Sequence, residues 1–213
     1  MTEDRGMYDC LSQDRDLAAL IARIGPCRLR GRDGKTPYEA LVRAIVGQQL
    51  HGRAAEAILA RICALAGGTT PEPEMLLAFS EDALRGCGLS AAKYMALRGL
   101  ARATQDGIVP DLAGAARMSD EMLIARLLPL RGIGRWTIEM MLIFTLDRPD
   151  VLPVDDFGVR AGWQKLRGLD TPPRPAALRA EGERFSPFRS ALAWYLWRLS
   201  EEGKSVRNAL TGD

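Results

Sequence analysis

The chain has 213 residues, 47% hydrophobic and 26% charged, with a formal net charge of +2 from 29 basic and 27 acidic residues. That composition excludes a disordered or fibrous chain and is enough for one large domain or two lobes with a real core. The near balance excludes a surface that is basic all over, though not a local basic face.

The N-terminal stretch is acidic and polar (Glu3, Asp4, Asp9, Asp14, Asp16), which is not the pattern of a signal peptide. Helix signals then dominate. Thr36-Pro37-Tyr38-Glu39 is a capping box with proline at the first helical position, and Leu41, Val42, Ile45 and Val46 continue one face. Gly47-Gln48-Gln49 interrupts the pattern. A second helix reads from about Gly52 through Ile58, Leu59, Ile62 and Leu65 to Gly67-Gly68. Pro71 to Pro73 reads as a loop, Ser80 caps a short helix through Leu84, and Ser90 opens another through Leu100. After a turn or short extended piece at Gly107 to Pro110, Ser119-Asp120-Glu121 caps a helix ending near Leu128. Pro129 to Gly134 is a tight connection, and Trp136 to Phe144 has no clean polar face, so it is expected to be buried. Asp147 to Pro153 is a loop, and a helix opens near Asp155. A proline-rich break spans Thr171 to Pro175, and the last helix starts at Ser186-Pro187 and carries Trp194 and Trp197. There is no strand series, only a short extended piece expected at Cys27 to Arg30, and no solenoid repeat or nucleotide-binding glycine loop. The fold class is all-α.

The residue inventory narrows the chemistry. His51 is the single histidine, so a site with two histidine ligands is excluded, and any Ser-His-Asp arrangement would have to use His51 itself. Cys10, Cys27, Cys63 and Cys87 lack C-x-x-C spacing, which is poor for a zinc ribbon or an iron–sulfur cluster; they read as reduced thiols. No metal-ligand set is assigned. Apolar runs such as Met140 to Leu146 are far too short to span a membrane. The expectation is a soluble cytoplasmic protein without a membrane partner.

Leu130-Arg131-Gly132-Ile133-Gly134-Arg135-Trp136-Thr137 is the most specific stretch. Two glycines two apart allow positive φ and close approach to a ligand. The next helix aims its N–H groups and dipole at whatever lies in front of the turn, where an anion such as a DNA phosphate is the natural partner. Arg131 and Arg135 add charge beside it. A plain helix–helix turn explains the same residues, and the segment alone does not decide. Downstream, Pro153-Val154-Asp155-Asp156-Phe157 places two acids in a first helical turn. One can cap the helix while the other faces a cleft, stabilising a developing cation or activating water. Both acids capping and solvating the helix is the plainer alternative.

Taken together, these residues resemble a known family. Leu-x-Gly-Ile-Gly-x-Trp-Thr, then an apolar helix, then Pro-Val-Asp-Asp resembles the helix-hairpin-helix (HhH-GPD) DNA glycosylase superfamily. Within it the chain is most similar to the alkylation-repair branch, DNA-3-methyladenine glycosylase II. Tyr38 to Gln49, Gly86 to Lys93, and Pro187-Phe188-Arg189-Ser190 leading to Trp197 fit the same pattern, so the resemblance covers about Pro37 to Trp197. It implies two helical lobes with a DNA-binding cleft between them: 38–150 ending in the helix-hairpin-helix, and 1–37 with 151–213. It implies Asp156 as the catalytic aspartate and leaves Asp155 the capping role. Trp136, Met140, Phe157 and Trp197 would form the base pocket, with Trp194 as core or support behind it. Gln48, Gln49 and Leu50 would form the wedge that enters the base stack, with Gln49 at the family's wedge position. Arg131, Gly132, Gly134, Arg135 and Thr137 would contact the DNA backbone. Arg160, one turn after Asp156, pairs with that acid or contacts DNA, and His51 is a DNA contact or a surface residue without catalytic duty.

The implied activity is that of a monofunctional glycosylase of base excision repair. It would flip ring-alkylated purines of the 3-methyladenine and 7-methylguanine type out of duplex DNA and hydrolyse the N-glycosidic bond, leaving an abasic site. Such bases are cationic, so they need little protonation to leave and are attracted to aromatic faces. Asp156 would stabilise the oxocarbenium-like sugar. Lyase relatives place a lysine where Trp136 stands, and tryptophan cannot form a Schiff base. Some relatives hold tyrosines at the positions of Met140 and Phe157, which leaves the lesion spectrum open. No cofactor is expected beyond a monovalent cation at the hairpin carbonyls; the partner is double-stranded DNA, and the protein a monomer. Two rivals stand beside this reading: a non-catalytic helix-hairpin-helix DNA-binding protein, which would not need Asp156, and a glycosylase for mismatched or oxidised bases. The small net charge also conceals two basic stretches, 21–62 and 160–198, each net +5. Arginine supplies 25 of the 29 basic residues, which suits forked phosphate contacts.

Overall fold

The computed structural model describes residues 2–29, 35–50 and 52–202; Arg30 and His51, two residues of the sequence reading, lie outside the described residues. The elements in chain order are α1 (Thr2–Leu11), α2 (Arg15–Ile24), α3 (Pro37–Gly47), α4 (Gly52–Leu65), α5 (Pro73–Ala78), α6 (Glu81–Gly86), α7 (Ala91–Gln105), α8 (Leu112–Ala116), α9 (Asp120–Leu127), α10 (Arg135–Phe144), α11 (Phe157–Arg167), α12 (Pro175–Gly182) and α13 (Arg189–Glu201). Among the described residues there is no strand, and Cys27 to Leu29 have no regular structure. The chain divides into two units, Met1–Gly31 with Asp147–Asp213, and Arg32–Leu146.

The unit Arg32–Leu146 is built on the caps legible in the sequence. Thr36 accepts from the Glu39 N–H at 3.2 Å while Glu39 accepts from the Thr36 N–H at 2.7 Å. Ser80, Ser90 and Ser119 cap α6, α7 and α9 through the N–H groups of Ala83, Lys93 and Met122. Each such cap contributes about 1 kcal/mol. Leu41, Val42, Ile45 and Val46 of α3 are buried, with Leu97 and Leu100 of α7 and Ile138 and Leu142 of α10 in the same core. Helix α7 runs one turn beyond the expected end, to Gln105, and short α5 and α8 form in stretches to which the sequence assigned no element. The expectation that α10 is buried all round is corrected at its start. Thr137, Ile138 and Glu139 are buried, but Trp136 is 45% exposed.

In the other unit, α11 packs on α13 at very short range. A Cβ on Gly162 would stand 2.1 Å from the Leu196 carbonyl oxygen, so only glycine fits. Leu11, Leu17, Val159, Phe185, Leu192 and Tyr195 share that core, with Trp163 edge-on to Phe185. Helix α13 begins at Arg189, not at Ser186-Pro187. The Asp150 carboxylate takes over its start, accepting from the Ser186 hydroxyl at 2.7 Å, the Arg189 Nε at 2.6 Å and the Arg189 N–H at 3.4 Å.

Candidate active site

Within the unit Met1–Gly31 with Asp147–Asp213, the acid at 156 is fixed from two sides. The chain turns at Pro153, whose carbonyl accepts from the Asp156 N–H at 3.0 Å, so α11 starts one residue later than its sequence suggests. Asp156 is therefore the N-cap, and its Oδ1 accepts from the Val159 N–H at 2.8 Å. This corrects the capping role given to Asp155, which is exposed in the turn before the helix. The same Oδ1 accepts from the Trp197 Nε1–H, also at 2.8 Å. Gly158 makes that approach possible, because a Cβ there would lie 2.9 Å from Trp197 Cδ1 and 3.1 Å from Asp156 Oδ1.

Phe157 follows at the first helical position and is 63% exposed. Trp194 is buried against Tyr195, its ring edge-on at 4.9 Å, and belongs to the core. Arg160 forms no ion pair with Asp156. It reaches the Pro173 carbonyl at 3.5 Å, and its buried Nε has no hydrogen-bond partner.

Within the unit Arg32–Leu146, a cavity of about 530 Å³ lies beside α3 and α10. Its walls include Trp136 and Met140 from the pocket assignment and Gln48 and Gln49 from the wedge assignment, so the fold brings these two groups together. Thr137 is another wall and is only 4% exposed. That removes its side chain from the set facing a DNA backbone. The break after α3 is a tight turn, with the Leu50 N–H donating to the Gly47 carbonyl at 3.2 Å. Gln49 sits in the left-handed region at φ +59°, and both Gln49 and Leu50 are exposed. Gln48 is different. Its Nε2 donates to the Gly132 carbonyl at 2.7 Å, which makes it a fastening of the loop and not a wedge.

The hairpin is exposed at Arg131, Gly132, Gly134 and Arg135. Its two glycines differ. Gly132 has φ +80°, and a Cβ there would be 2.9 Å from that of Ala96. Gly134 is the N-cap of α10 at φ −97°, with nothing within 4 Å of a Cβ, so neither conformation nor packing calls for glycine there. Arg135 spends its Nε on Glu139, 3.0 Å away and itself only 3% exposed, while about half of the arginine side chain stays exposed.

Sequence reasoning missed four residues that shape these sites: Gly158, Gly162, Glu139 and Lys93. The Lys93 Nζ donates to the carbonyls of Val46 and Gln48 at 2.8 and 2.7 Å. An acid in the middle of the mostly apolar α10 was the available signal for Glu139. Nothing local marks the glycines, whose need comes from another helix. Among the described residues no cluster of three or more histidine, cysteine or acidic side chains could hold a metal ion, and no helix is long and apolar enough to cross a membrane.

The family model described as HhH-GPD superfamily base excision DNA repair protein matches residues 42–187. The chain belongs to that superfamily. It is 42% identical over 190 residues to DNA-3-methyladenine glycosylase 1 of Schizosaccharomyces pombe, covering 88% of this chain and 83% of the relative. Among solved HhH-GPD structures, the 3-methyladenine DNA glycosylase Mag1 of Schizosaccharomyces pombe in complex with abasic DNA superposes with a TM-score of 0.81 at 40% identity, over 91% of this chain and 95% of that one. A DNA-3-methyladenine glycosidase from Bacillus halodurans gives 0.83 at 32% identity, over 92% and 89%. The stretch that the family model matches contains the hairpin, Trp136 and Asp156.

Proposed function

We propose that this protein is a monofunctional DNA glycosylase of base excision repair, acting as a monomer on alkylated purines in double-stranded DNA. The observation that carries the reading is the Asp156 carboxylate at the N-terminus of α11, its Oδ1 held by the Val159 N–H and the Trp197 indole. A purely structural cap needs the first of these bonds; the second ties the acid to an aromatic ring able to face a cationic base.

In the proposed reaction the base is flipped out and received by aromatic and apolar side chains, the role proposed for Trp136 and Met140 of one unit and for Phe157 and Trp197 of the other. Departure of the already cationic purine leaves an oxocarbenium-like sugar. The fixed negative charge of Asp156 stabilises that sugar, and the carboxylate directs water to its anomeric carbon. Gln49 and Leu50 fill the vacated place in the stack. Arg131, Gly132, Gly134 and Arg135, with the N-terminus of α10, hold phosphates. Hydrolysis without a Schiff base is supported by Trp136 and by two of the lysines. The Lys93 amine is on two backbone carbonyls, and that of Lys165 is on those of Leu199, Ser200 and Glu202.

The proposal includes a monovalent cation at the hairpin. The donors there are backbone oxygens, which suit a hard cation. The Gly132 oxygen already serves Gln48, so the other carbonyls of the turn would hold the ion.

The test is a panel of duplexes, each carrying one defined lesion, read by alkali cleavage at abasic sites. Release of alkylated purines, without a covalent adduct after borohydride treatment, is the expected result. A trapped adduct would overturn the monofunctional reading, whichever lysine formed it, Lys35 on the cavity wall included.

A further inference from the structure

Lys93 has no part in the chemistry proposed above, yet it joins two of the pieces that chemistry needs. Ser90 fixes its place by capping α7 through the Lys93 N–H at 3.3 Å. From there the Nζ reaches back to the carbonyls of Val46 and Gln48, at the C-terminal end of α3. Carbonyls at a helix end lack intrahelical partners, and an ammonium group is a fitting one. Desolvation by burial lowers the Lys93 pKa, which marks this as a sheltered place for a charge. The next residue, Gln49, is in the left-handed region, which a non-glycine side chain keeps only where its surroundings hold it.

The same short stretch is tied to the hairpin. The Gln48 Nε2 donates to the Gly132 carbonyl, 84 residues away in sequence. One turn along α7 from Lys93, the Ala96 methyl group lies against Gly132 so closely that a Cβ there would come within 2.9 Å. Helix α7 thus holds the loop after α3 through Lys93 and the hairpin through Ala96, and Gln48 closes the triangle.

We propose that Lys93 and Gln48 are positioning residues for base flipping: they hold Gln49 and Leu50 ready to enter the stack and in register with the phosphate-binding turn. This rests on the glycosylase reading above. The physical argument is preorganisation. A loop already ordered does not spend free energy on ordering itself when it inserts. A fixed spacing between loop and hairpin also converts phosphate contacts, which carry no base information, into insertion beside one nucleotide. If Lys93 only capped α3, its loss would lower stability and affect all substrates alike.

The experiment uses one alkylated purine in two settings, fully paired and opposite an abasic nucleotide, where less pairing must be broken. Single-turnover release is measured for the wild type, Lys93→Met, Lys93→Arg and Gln48→Leu. In Lys93→Met and Gln48→Leu the ratio of unpaired to paired rates rises about tenfold, equivalent to about 1.4 kcal/mol on the flipping step alone. Lys93→Arg, which can still donate to both carbonyls, restores a ratio near that of the wild type. A second duplex carries 2-aminopurine beside an uncleavable abasic analogue; its fluorescence reports unstacking without any chemistry. The two disruptive variants give a smaller rise than the wild type at saturating protein. An unchanged ratio together with an undiminished fluorescence rise overturns the proposal. Should Lys93→Met fail to fold, Gln48→Leu, which leaves the Lys93 bonds in place, carries the same comparison. A wild type that unstacks the reporter but releases no base contradicts the glycosylase reading, while the fluorescence series still judges the positioning role of Lys93 and Gln48.

Discussion

Oδ1 of Asp156 accepts from Val159 N–H and from the Trp197 indole, so a carboxamide at this position keeps an acceptor where the carboxylate had one. Asp156→Asn is expected to melt within about 0.5 kcal/mol of the wild type, whereas Asp156→Ala loses the cap and about 1 kcal/mol. Thermal or urea unfolding separates the two. Gly162→Ala is the severe case at this scale. Its Cβ would meet the Leu196 backbone, which cannot move aside as a side chain can, so a loss of about 3 kcal/mol or more is expected. Two adjacent acids behind a proline are visible in the sequence, and the family resemblance is what singled out Asp156 of the two. It did not reveal which acid caps, since that depends on one extra residue in the turn from Pro153. Nor could it reveal Gly158 or Gly162, whose partners lie on α13.

The hairpin is the element where one substitution has two different meanings. Gly132→Ala places a Cβ at positive φ and against Ala96, and should destabilise the unit Arg32–Leu146. Gly134→Val should leave the fold intact, because the site has ordinary φ and open space, and should weaken binding to every duplex equally whatever its lesion. Binding isotherms on lesion-containing and plain duplexes check this; a loss confined to one lesion would count against a phosphate role. Capped helices were the elements the sequence showed best, since Thr36, Ser80, Ser90 and Ser119 each make the cap bond their spacing implies. Helix α2 was not named from the sequence, although Asp14 caps it and Leu17, Leu20, Ile21 and Ile24 recur at helical spacing. Helices α8 and α12 were not legible. The first is five residues of leucine, alanine and glycine, and the second hides its start behind the prolines at 172, 173 and 175.

At the scale of the whole molecule, charge sets the response to pH and salt. Burial pushes the Asp14 carboxyl up, but hydrogen bonds from Arg167 and the Leu17 N–H, with the charges of Arg167 and Arg184, outweigh it and leave the pKa lowered. Asp150 follows the same pattern, with burial opposed by Arg189 and Ser186. A carboxylate whose folded pKa lies below its unfolded value stabilises the fold above the unfolded value, and that contribution is lost as pH falls through the folded one. Stability should therefore hold down to about pH 4 and fall below it. Asp14→Asn should lower the melting temperature at neutral pH and flatten the acid slope.

DNA binding should weaken as salt rises, and Arg131→Ala should reduce the magnitude of the logarithmic salt slope by about 1 if its guanidinium neutralises one phosphate. The small net charge now has a concrete content. Part of the positive charge is arginine already paired with acids, such as Arg135, Arg167, Arg184 and Arg189.

The most direct test of the central claim is single-turnover release of 7-methylguanine from a duplex by the wild type and by Asp156→Asn, with binding to an abasic duplex measured on the same samples. The account predicts release by the wild type, a loss of about a hundredfold or more in the variant, and binding retained. Release by Asp156→Asn at the wild-type rate would contradict it.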